Sequence, residues 1–384
     1  MTENALGHGS VPPYLAHARA VLEINLAAIR RNWRKLNGIA AKSVCSAVVK
    51  ADAYGLGLEK IVATLYGDGC TTFFVATLDE GRRTRLAAPG ATIYVLDGLL
   101  PQTAAYYRDF NLCPVLSSTE EITDWADFCT NGNLRMEAAV QVDTGMHRLG
   151  LPIDQFVQLQ RPGGPLEVFS QTLLMSHLAC ADTQHNIRNR QQLEKFEKAH
   201  HALPAVPCSL ANSAGIFLGT DFHFDMVRPG IALYGGRAFE GAQNPMESVV
   251  KLYGRILQLH SAEPGEAVGY GATHLITRPS RLATISLGYA DGFVRALGGS
   301  ETGFGTMAFI DTYEVPIIGR ISMDLITLDV TDVPTQLVHR GGWVEMIGNH
   351  VTVDDLADRI GTIGYEILSR LGRRAHRVYV GSQV

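Results

Sequence analysis

Short apolar runs alternate with helix-like segments over the first 245 residues, and this alternation constrains the fold more than any other feature of the sequence. Runs of this length are typical of buried strands, and the segments between them carry helix start signals. One segment, SSTEEITDWADF, has a hydroxyl cap with a glutamate three residues later. Another, NRQQLEKFEKAHHAL, is amphipathic. The eight predicted strands span residues 44–49, 72–77, 92–97, 112–116, 136–142, 171–177, 207–211 and 224–227.

Eight strand–helix units within roughly 200–250 residues are the count and length of a (β/α)8 barrel of the TIM type, an α/β fold. A doubly wound sheet is the alternative, because the succession of strands and helices does not by itself give the order of the strands. The barrel interpretation makes a prediction that the sequence can test. Residues that carry chemistry should follow the carboxyl ends of the strands, where the loops of a barrel form its active site.

Polar and small residues do follow the predicted strands at these positions. They are, in chain order, Lys50, Arg148, His177, Asn212, Ser213, Arg228 and Gly230. The loops after the seventh and eighth strands commonly bind phosphate in such barrels. The stretch ANSAG has a hydroxyl and small residues suited to a helix N-terminus that binds an anion. Each residue taken singly is more often a cap or a buried hydrogen-bonding group, but their common position favours one site.

Lys50 ends an apolar strand in the stretch AVVKADAYGLG, residues 47–57. An ammonium group is costly to remove from water, so a lysine at this position has two interpretations. It is either a solvated strand end, which is the commoner case, or a nucleophile whose pKa is perturbed by its surroundings. The stretch alone leaves both open.

The pattern changes beyond Gly241, where apolar and polar residues alternate and turn residues recur about every 8–12 positions. This alternation is typical of a mainly antiparallel β domain of the sandwich or barrel kind. We therefore expect a barrel over residues 1–245 and a C-terminal β domain over 246–384. A strand near residues 20–26 is expected to pair with the second domain. TVDDLADRIGTIGYEILSRLG is predicted as one helix and HRVYVG as the last strand.

Composition excludes several classes of protein. Hydrophobic residues make up 46% of the 384 residues and charged residues 18%, which predicts a globular protein with a sizeable core. A net charge of −5 argues against nucleic acid or an anionic membrane as a partner. The six cysteines show no CxxC spacing, so neither disulfides nor a metal site is expected. The N-terminus has no signal-peptide pattern, and no run of about 18 apolar residues occurs, so we expect a cytoplasmic protein.

Nine sequence blocks, in order, resemble those of the alanine racemases, pyridoxal-phosphate enzymes that combine a barrel with a β domain. The blocks are AVVKADAYGLG, DTGMHRLG, MSHLACAD, ANSAG, VRPGIALYG, GYGATH, GYADG, GRISMD and GYEIL. The resemblance extends from EINLAAI near residue 25 to RRAHRVYVG at the end of the chain. It implies an isomerase that interconverts L-alanine and D-alanine, either to supply D-alanine for peptidoglycan or in alanine catabolism.

The resemblance implies that pyridoxal 5'-phosphate is bound covalently to Lys50. A free lysine titrates at about 10.4, so a working base requires a lowered pKa, which a closed pocket and the cation Arg228 could supply. Because an arginine keeps its protons, Arg228 would leave the pyridine nitrogen an unprotonated acceptor and so discourage transamination. His177 would lie beside the ring. The residues implied for cofactor binding are Lys50, Tyr54, His177, Asn212, Ser213, Arg228, Gly230, Ile231 and Tyr365.

Racemisation requires a base on each face of the α-carbon, and the resemblance implies that these bases are Lys50 and Tyr270. Tyr270 would come from the β domain of a partner subunit, which implies a homodimer with shared active sites. Taken alone, this tyrosine is more often an ordinary aromatic residue of a sheet. The resemblance further implies that the substrate carboxylate is bound by Arg148 and the backbone N–H of Met323. The supporting residues implied are Asp324, which orients the Met323 loop, and Tyr289 and Tyr365, which narrow the entrance in favour of a methyl side chain.

Three related functions would leave different sequences. An amino-acid decarboxylase of the same fold class would carry an acidic residue at the position of Arg228 and a reactive cysteine near its C-terminus, whereas the last cysteine here is Cys208. A non-catalytic carrier of pyridoxal phosphate would be a single barrel without residues 246–384 and without Tyr270. A periplasmic racemase of broad specificity would have a signal sequence and a disulfide, and neither is evident.

Gln141 departs from the family pattern. Many alanine racemases have a carbamylated lysine two residues before the aspartate of DTGM, and its anionic group hydrogen-bonds the substrate-binding arginine. The carboxamide of Gln141 cannot be carbamylated and offers Arg148 only a neutral acceptor. Two interpretations remain open at this point. Gln141 is an adequate substitute, or a small anion such as chloride lies between Gln141 and Arg148 and restores the missing charge.

Overall fold

The chain divides into two compact units. The structure, a computed structural model, describes residues 15–202, 205–299, 303 and 305–381. Residues 29–246 form one unit, called here the barrel unit, and residues 1–28 together with 247–384 form the other, called the β unit. Within the described ranges, no helix is long and apolar enough to cross a membrane.

The helices and strands are numbered along the chain. The strands are β1 (Ala20–Asn25), β2 (Val44–Cys45), β3 (Ala47–Val48), β4 (Thr72–Val75), β5 (Thr92–Val95), β6 (Cys113–Leu116), β7 (Glu137–Asp143), β8 (Leu151–Pro152), β9 (Ser170–Met175), β10 (Cys208–Ser209), β11 (Met226–Val227), β12 (Val250–Ala262), β13 (Ala267–Val268), β14 (His274–Leu275), β15 (Ser280–Ile285), β16 (Met307–Ile310), β17 (Tyr313–Ile318), β18 (Ile326–Asp329), β19 (Trp343–Ile347) and β20 (His376–Val380). The helices are α1 (Leu26–Ala40), α2 (Lys50–Tyr54), α3 (Leu58–Gly67), α4 (Leu78–Ala87), α5 (Ala104–Asp109), α6 (Thr119–Gly132), α7 (Ile153–Leu159), α8 (Ile187–Ala202), α9 (Val353–Ile360) and α10 (Gly364–Arg370).

Parallel strands close into a barrel in the barrel unit. The path β3-β4-β5-β6-β7-β9-β10 is followed by a bridge between Asn212 and Arg228, and β11 then pairs with β2. Strands β2 and β3 are two halves of the first barrel strand, interrupted at Ser46, whose N–H and hydroxyl both donate to the Val227 carbonyl. Each of the eight predicted strands overlaps an observed one, so the predicted (β/α)8 barrel is confirmed and the doubly wound sheet is wrong.

Most residues of the barrel strands are buried, as expected where helices cover one face and the barrel core the other, and the exposed ones, Val44 and Glu137, lie at strand starts. All four residues of β4 and of β6 are buried. The helix after each of these strands begins at a hydroxyl cap. The predicted cap is Ser118, which accepts from the N–H of Glu121 at 3.2 Å. Thr77 caps α4 in the same way, with Glu80 at the third position.

The β unit is built on an eight-stranded sheet in the order β15-β18-β17-β16-β19-β12-β1-β20, and β15 also pairs with β12. The 13-residue strand β12 pairs with its neighbours β19 and β1 and also with β15, at one end of this path, and its register with β15 shifts between Ile256 and Gln258. Strand β1 lies at the position of the strand predicted near residues 20–26. It pairs antiparallel with β12 and parallel with β20, both strands of the β unit. The single C-terminal helix predicted from the sequence is wrong. It is two helices, because Gly361 ends α9 in the left-handed conformation at φ 69°.

Candidate active site

The barrel unit brings most of the predicted residues to the carboxyl ends of its strands. They are Lys50 after β3, Arg148 after β7, His177 after β9, Asn212 and Ser213 after β10, and Arg228, Gly230 and Ile231 after β11, with Gln141 inside β7. Because the carboxyl ends of all strands of a parallel barrel lie on one face, these residues share that face. The structure therefore places these residues at one end of the barrel unit, and their role as one site stays a prediction.

Lys50 is followed by a left-handed turn. Four consecutive residues, Ala51 to Tyr54, have φ of 54° or 55°, although none of them is glycine. An L-residue in this conformation costs roughly 1–2 kcal/mol, because its Cβ approaches a carbonyl oxygen. Strain of this kind persists only where the surrounding structure holds it, and it is concentrated at functional sites. The turn thus fixes the direction in which the chain leaves Lys50.

The surroundings of Lys50 favour its neutral amine. Burial makes the largest contribution and lowers the pKa of Lys50, and the nearby cation Arg148 lowers it further. The carboxylates of Asp97 and Glu80 act in the opposite direction. A neutral amine is the form that attacks a carbonyl carbon or accepts a proton. The nucleophile interpretation of Lys50 is therefore the one that its environment favours.

Arg228 is a buried cation with neutral partners. Its guanidinium donates to the Ser176 carbonyl at 2.5 Å and to the Ser209 hydroxyl, and it lies 5.9 Å from the ring centroid of Phe74. Burial lowers the pKa of Arg228 to about 9, so the group stays charged at neutral pH. No acidic side chain in the described part of the chain pairs with it. A buried guanidinium whose partners are all neutral suits hydrogen bonding to a neutral acceptor atom of a bound group.

Ser213, Gly230 and Tyr54 form a compact set of donors and acceptors. The Ser213 hydroxyl accepts from the N–H of Gly230 at 2.8 Å and of Ala232 at 3.3 Å. A Cβ at Gly230 would lie 2.2 Å from the Tyr54 hydroxyl oxygen, so only glycine leaves room for this phenol. Tyr54 also stacks on Tyr234, with ring centroids 4.5 Å apart. Hydroxyl and backbone N–H groups in one cradle suit an anion with several acceptor oxygens.

The stretch ANSAG leads into a short 3-10 turn and not into the α-helix that its sequence suggested. The helix expected to bind an anion at its N-terminus is a short 3-10 turn, Gly215–Leu218, which is too brief to carry an appreciable dipole. Asn212 accepts from the Gly215 N–H at 2.9 Å and so caps this turn. The groups in this region whose chemistry suits an anion are therefore the Ser213 hydroxyl and neighbouring N–H groups.

His177 is held neutral by its surroundings. Burial is the largest cause, and with the cations Arg228, Arg148 and Lys50 it lowers the pKa of His177 to about 3. The histidine backbone is anchored by Gln192, whose side chain donates to the His177 carbonyl at 2.9 Å. At neutral pH the imidazole therefore serves as a hydrogen-bonding and packing group, without a charge.

Gln192 was not found by sequence reasoning. Besides His177, it donates to the Thr144 hydroxyl at 3.0 Å and accepts from the Ala179 N–H at 2.8 Å. Thr144 in turn lies 2.8 Å from the hydroxyl of Ser176, the residue whose carbonyl binds Arg228. This buried network connects α8 to two strand ends. Its only sequence signal is a polar residue on the buried side of the amphipathic helix.

Arg148 is exposed. Gln141 contacts the loop that carries Arg148 but does not contact the Arg148 side chain. The Gln141 amide donates to the carbonyl of Leu149 at 3.0 Å. In the described part of the chain no hydrogen bond joins the side chains of Gln141 and Arg148. Among the described residues, the expected hydrogen bond from Arg148 to the Gln141 amide oxygen is thus not formed. Gln141 acts instead on the backbone of the residue that follows Arg148.

Three further predicted residues, Tyr270, Met323 and Tyr289, lie on loops of the β unit and are exposed. Tyr270 opens a short turn and is 70% exposed, Met323 is 54% exposed and Tyr289 is 42% exposed. The N–H of Tyr289 donates to the Ser322 carbonyl at 3.1 Å, so the GYADG and GRISMD blocks are in direct contact. The glycines around Tyr270 approach Arg320 of the GRISMD block. Three blocks therefore meet on one group of loops.

Asp291 holds this group of loops together and was not found by sequence reasoning. Its carboxylate is buried, binds Arg19 at 2.8 Å and Arg374 at 3.4 Å, and accepts from the Gly288 N–H at 2.9 Å. Arg374 also pairs with Asp324 at 2.6 Å, which links the GYADG and GRISMD loops. The aspartate lies within a block noted for its tyrosine. Tyr365, in α10 of the same unit, is partly buried.

Comparisons with known proteins agree with this architecture. Residues 24–238 match the family model described as alanine racemase, N-terminal domain, and residues 249–379 match alanine racemase, C-terminal domain. The chain is 47% identical to an alanine racemase of Methylobacterium sp. strain 4-46, covering 94% of this chain and 98% of the relative. It is 45% identical to an alanine racemase of Agrobacterium fabrum named biosynthetic, covering 94% and 93%. A crystal structure of alanine racemase from Bartonella henselae with covalently bound pyridoxal phosphate is 40% identical, with a TM-score of 0.89, covering 94% of this chain and 100% of that chain.

Proposed function

This chain belongs to the alanine racemase family, and we propose that it interconverts L-alanine and D-alanine with Lys50 and Tyr270 as its two bases. Its cofactor is pyridoxal 5'-phosphate. When bound, this group supplies the electron withdrawal that makes the α-hydrogen of an amino acid acidic. The protein supplies the groups that hold the cofactor and move the proton.

The residues of the barrel unit fit this cofactor. Lys50, whose pKa is lowered, suits covalent attachment to an aldehyde. The cradle of Ser213, Gly230 and Tyr54 suits a phosphate. The observation that most supports the proposal is the burial of Arg228 without a carboxylate partner. Such a guanidinium suits a ring nitrogen that accepts a hydrogen bond. A decarboxylase of this fold class is expected to have an acidic group at that position.

In the barrel unit, Lys50 accepts the proton, while Arg228 and His177 keep their protonation states. The neutral amine of Lys50 accepts the α-hydrogen of one enantiomer as a proton at Nζ. Arg228 keeps its protons during this step, since its pKa of about 9 lies above neutrality. His177, with a pKa of about 3, neither accepts nor releases a proton near neutral pH. Proton transfer is therefore confined to Lys50 among these three groups.

We assign the second base to Tyr270 and the partner to a second copy of this chain. Support comes from the exposure of Tyr270 and Met323, which leaves both available to another molecule. The backbone N–H of Met323 and the guanidinium of Arg148 would then bind the substrate carboxylate. Tyr289 and Tyr365 would narrow the entrance around a methyl side chain. A homodimer with two shared sites follows from this assignment.

We further propose a cytoplasmic location. All six cysteines lie within the described ranges and all are free thiols, as expected in a reducing compartment. Burial raises the pKa of the Cys45 and Cys208 thiols, so these two are poor nucleophiles. This also argues against a reactive cysteine of the kind expected in the decarboxylase.

The proposal is tested by hydrogen exchange at the α-carbon. Purified protein in D2O should replace the α-hydrogen of both L-alanine and D-alanine, which proton NMR detects, and convert each enantiomer into the other. Borohydride reduction should leave the cofactor on the peptide that contains Lys50, as mass spectrometry would show. Exchange without inversion, release of carbon dioxide, or reduction at a different lysine would overturn the assignment.

A further inference from the structure

Helix α4 holds the left-handed turn that follows Lys50. The four residues of this turn have a backbone conformation that residues with a Cβ rarely adopt, so contacts from outside the turn must maintain it. Two side chains of α4 reach it, Glu80 and Arg83. Because residues three apart lie on one face of a helix, both can act on the same segment.

Within the described residues, the Glu80 carboxylate accepts hydrogen bonds only from backbone N–H groups. One carboxylate oxygen accepts from the N–H of Asp52, inside the left-handed turn, at 3.1 Å. The other accepts from the N–H of Ala76 at 3.0 Å, directly after β4. Arg83 binds the side chain of the same Asp52 at 2.6 Å, and that carboxylate also accepts from the Leu58 N–H at 3.2 Å. The turn is thus tied to the end of β4 on one side and to the start of α3 on the other.

We propose that Glu80 is a positioning residue for Lys50. Its carboxylate ties the left-handed turn to the end of β4 and places a negative charge near the amine. The proposal rests on the proposed role of Lys50 as base and cofactor lysine. Glu80 lies outside all nine sequence blocks, so the resemblance assigns it no role.

The charge of Glu80 also affects the amine. The charged and titratable groups that act on Lys50 are Arg148, Asp97, Glu80 and His177. Burial and Arg148 lower the pKa of Lys50, whereas Asp97 and Glu80 raise it. A general base works best when its pKa lies near the working pH, since it must both accept and release the proton. Glu80 therefore limits how far burial depresses the basicity of Lys50.

The test measures the amine directly. Wild-type protein and the Glu80→Gln variant are freed of cofactor, treated with acetic anhydride over a range of pH, and analysed by mass spectrometry. Acetylation requires the neutral amine, so its pH midpoint at Lys50 reports the pKa, and the exposed Lys42 serves as an internal standard. Glu80→Gln should move the Lys50 midpoint to lower pH and leave that of Lys42 unchanged.

A second readout uses the holoenzyme. Glu80→Ala also removes the acceptor for the Asp52 N–H, so the turn loosens and the cofactor should dissociate roughly tenfold faster, in line with the loss of one hydrogen bond to a charged group. If Glu80→Ala does not fold, the near-isosteric Glu80→Gln carries the test. Cofactor release is followed by absorbance after rapid dilution.

Thr77→Ala is the matched control. It removes the hydroxyl that caps α4 at the Glu80 N–H but keeps the Glu80 carboxylate. It should leave both the Lys50 midpoint and the rate of cofactor release unchanged. An unshifted midpoint in Glu80→Gln, or an equal shift in Thr77→Ala, would overturn the proposal. Borohydride trapping of wild-type protein at a lysine other than Lys50 would instead overturn the proposed function, so the two failures are distinguishable.

Discussion

Most predicted site residues of the barrel unit are buried or half-buried, whereas those on the loops of the β unit are exposed. In the barrel unit, Arg228 and Ser213 are each only 3% exposed and are held by hydrogen bonds within the chain. In the β unit, Tyr270 and Met323 are 70% and 54% exposed. The buried site residues of the barrel unit are called here the buried half, and the exposed ones of the β unit the exposed half. Folding of the chain is enough to position the buried half, because its hydrogen-bond partners are backbone and side-chain groups of the same unit. The exposed half has groups available, and under the proposed function a second copy of the chain closes them around a substrate.

This difference predicts how the two halves respond to substitution. A buried polar group shares its hydrogen bonds with the fold, so changing it alters both stability and activity. An exposed side chain has few such bonds, so its removal should affect function while stability stays within about 0.5 kcal/mol. Substitutions in the exposed half should therefore change activity without changing stability.

The largest expected effect is that of Tyr270→Phe. If Tyr270 is the base on one face of the α-carbon, its loss should slow exchange from one enantiomer by about 10²–10⁴-fold and from the other far less. The melting temperature should not change. Tyr313→Phe, at another exposed tyrosine of the β unit, is the matched control and should leave both rates intact. Equal slowing from both enantiomers would contradict the role of Tyr270, and exchange followed by NMR distinguishes the outcomes.

The buried half predicts a stability effect of pH. His177 has a pKa of about 3 in the folded chain, whereas an unfolded histidine titrates at about 6.5. Between these values the unfolded chain binds a proton that the folded chain does not. The free energy of unfolding should therefore fall as the pH drops from about 6.5 towards 3, by at most about 1.4 kcal/mol per pH unit from this group. Urea denaturation at several pH values measures the slope.

His177→Gln should flatten this slope, because the replacement does not titrate. The exposed His339 provides a control, and His339→Gln should leave the slope as in the wild type. An unchanged slope in His177→Gln would show that the folded protein does not hold the imidazole neutral.

Gln141 lies at the border between the buried and exposed groups. Gln141→Ala removes its bond to the Leu149 carbonyl, so the loop that carries the exposed Arg148 should loosen. The Michaelis constant for alanine should rise several-fold, as expected for one neutral hydrogen bond of about 1 kcal/mol, with a smaller change in kcat. Gln171→Ala breaks the same type of bond, to the Leu166 carbonyl, and is the control.

Bicarbonate gives an independent test at Gln141. Wild-type activity should not depend on bicarbonate, since a carboxamide cannot be carbamylated. Gln141→Lys should retain activity and acquire bicarbonate dependence if the new amine becomes carbamylated. A carbamate-sized mass addition on the wild-type protein, or a Gln141→Ala variant with unchanged kinetics, would contradict this account of the position.

The smallest expected effect concerns the left-handed turn. Ala51 is exposed and has φ 55°, a conformation that glycine adopts without strain. Ala51→Gly should therefore raise the free energy of unfolding by up to about 1 kcal/mol. Ala63→Gly, at an exposed position of the regular helix α3, should lower it by about 1 kcal/mol. The same substitution should thus change the free energy of unfolding in opposite directions at the two sites. A change in the same direction at both sites would contradict the observed turn.

The eight barrel strands and the residues at their ends could be predicted because both signals are local. A strand shows in the apolar run itself, and a residue such as Lys50 or Arg228 is located by the run that precedes it. The β unit was predictable for the same reason, through its alternation. The C-terminal helix was misjudged because Gly361 ends α9, although glycine is a common helix-ending residue.

The supporting polar groups could not be predicted, because their partners are distant along the chain. Glu80 and Thr77 show the spacing of a capping box, but nothing in that pattern indicates the bond to Asp52, which lies 28 residues away. Arg19 and Asp291 are 272 residues apart. The left-handed turn was equally hidden, since alanine gives no signal for positive φ.

The central claim is that the exposed half of one chain completes the buried half of another, and mixing two inactive variants tests it most directly. Lys50→Ala lacks the buried base and Tyr270→Ala lacks the exposed one. Mixed in equal amounts and allowed to exchange subunits, they should form heterodimers in which one of two sites has both bases, and recover roughly a quarter of the wild-type rate. A mixture that stays inactive although mass spectrometry detects the heterodimer would contradict the claim.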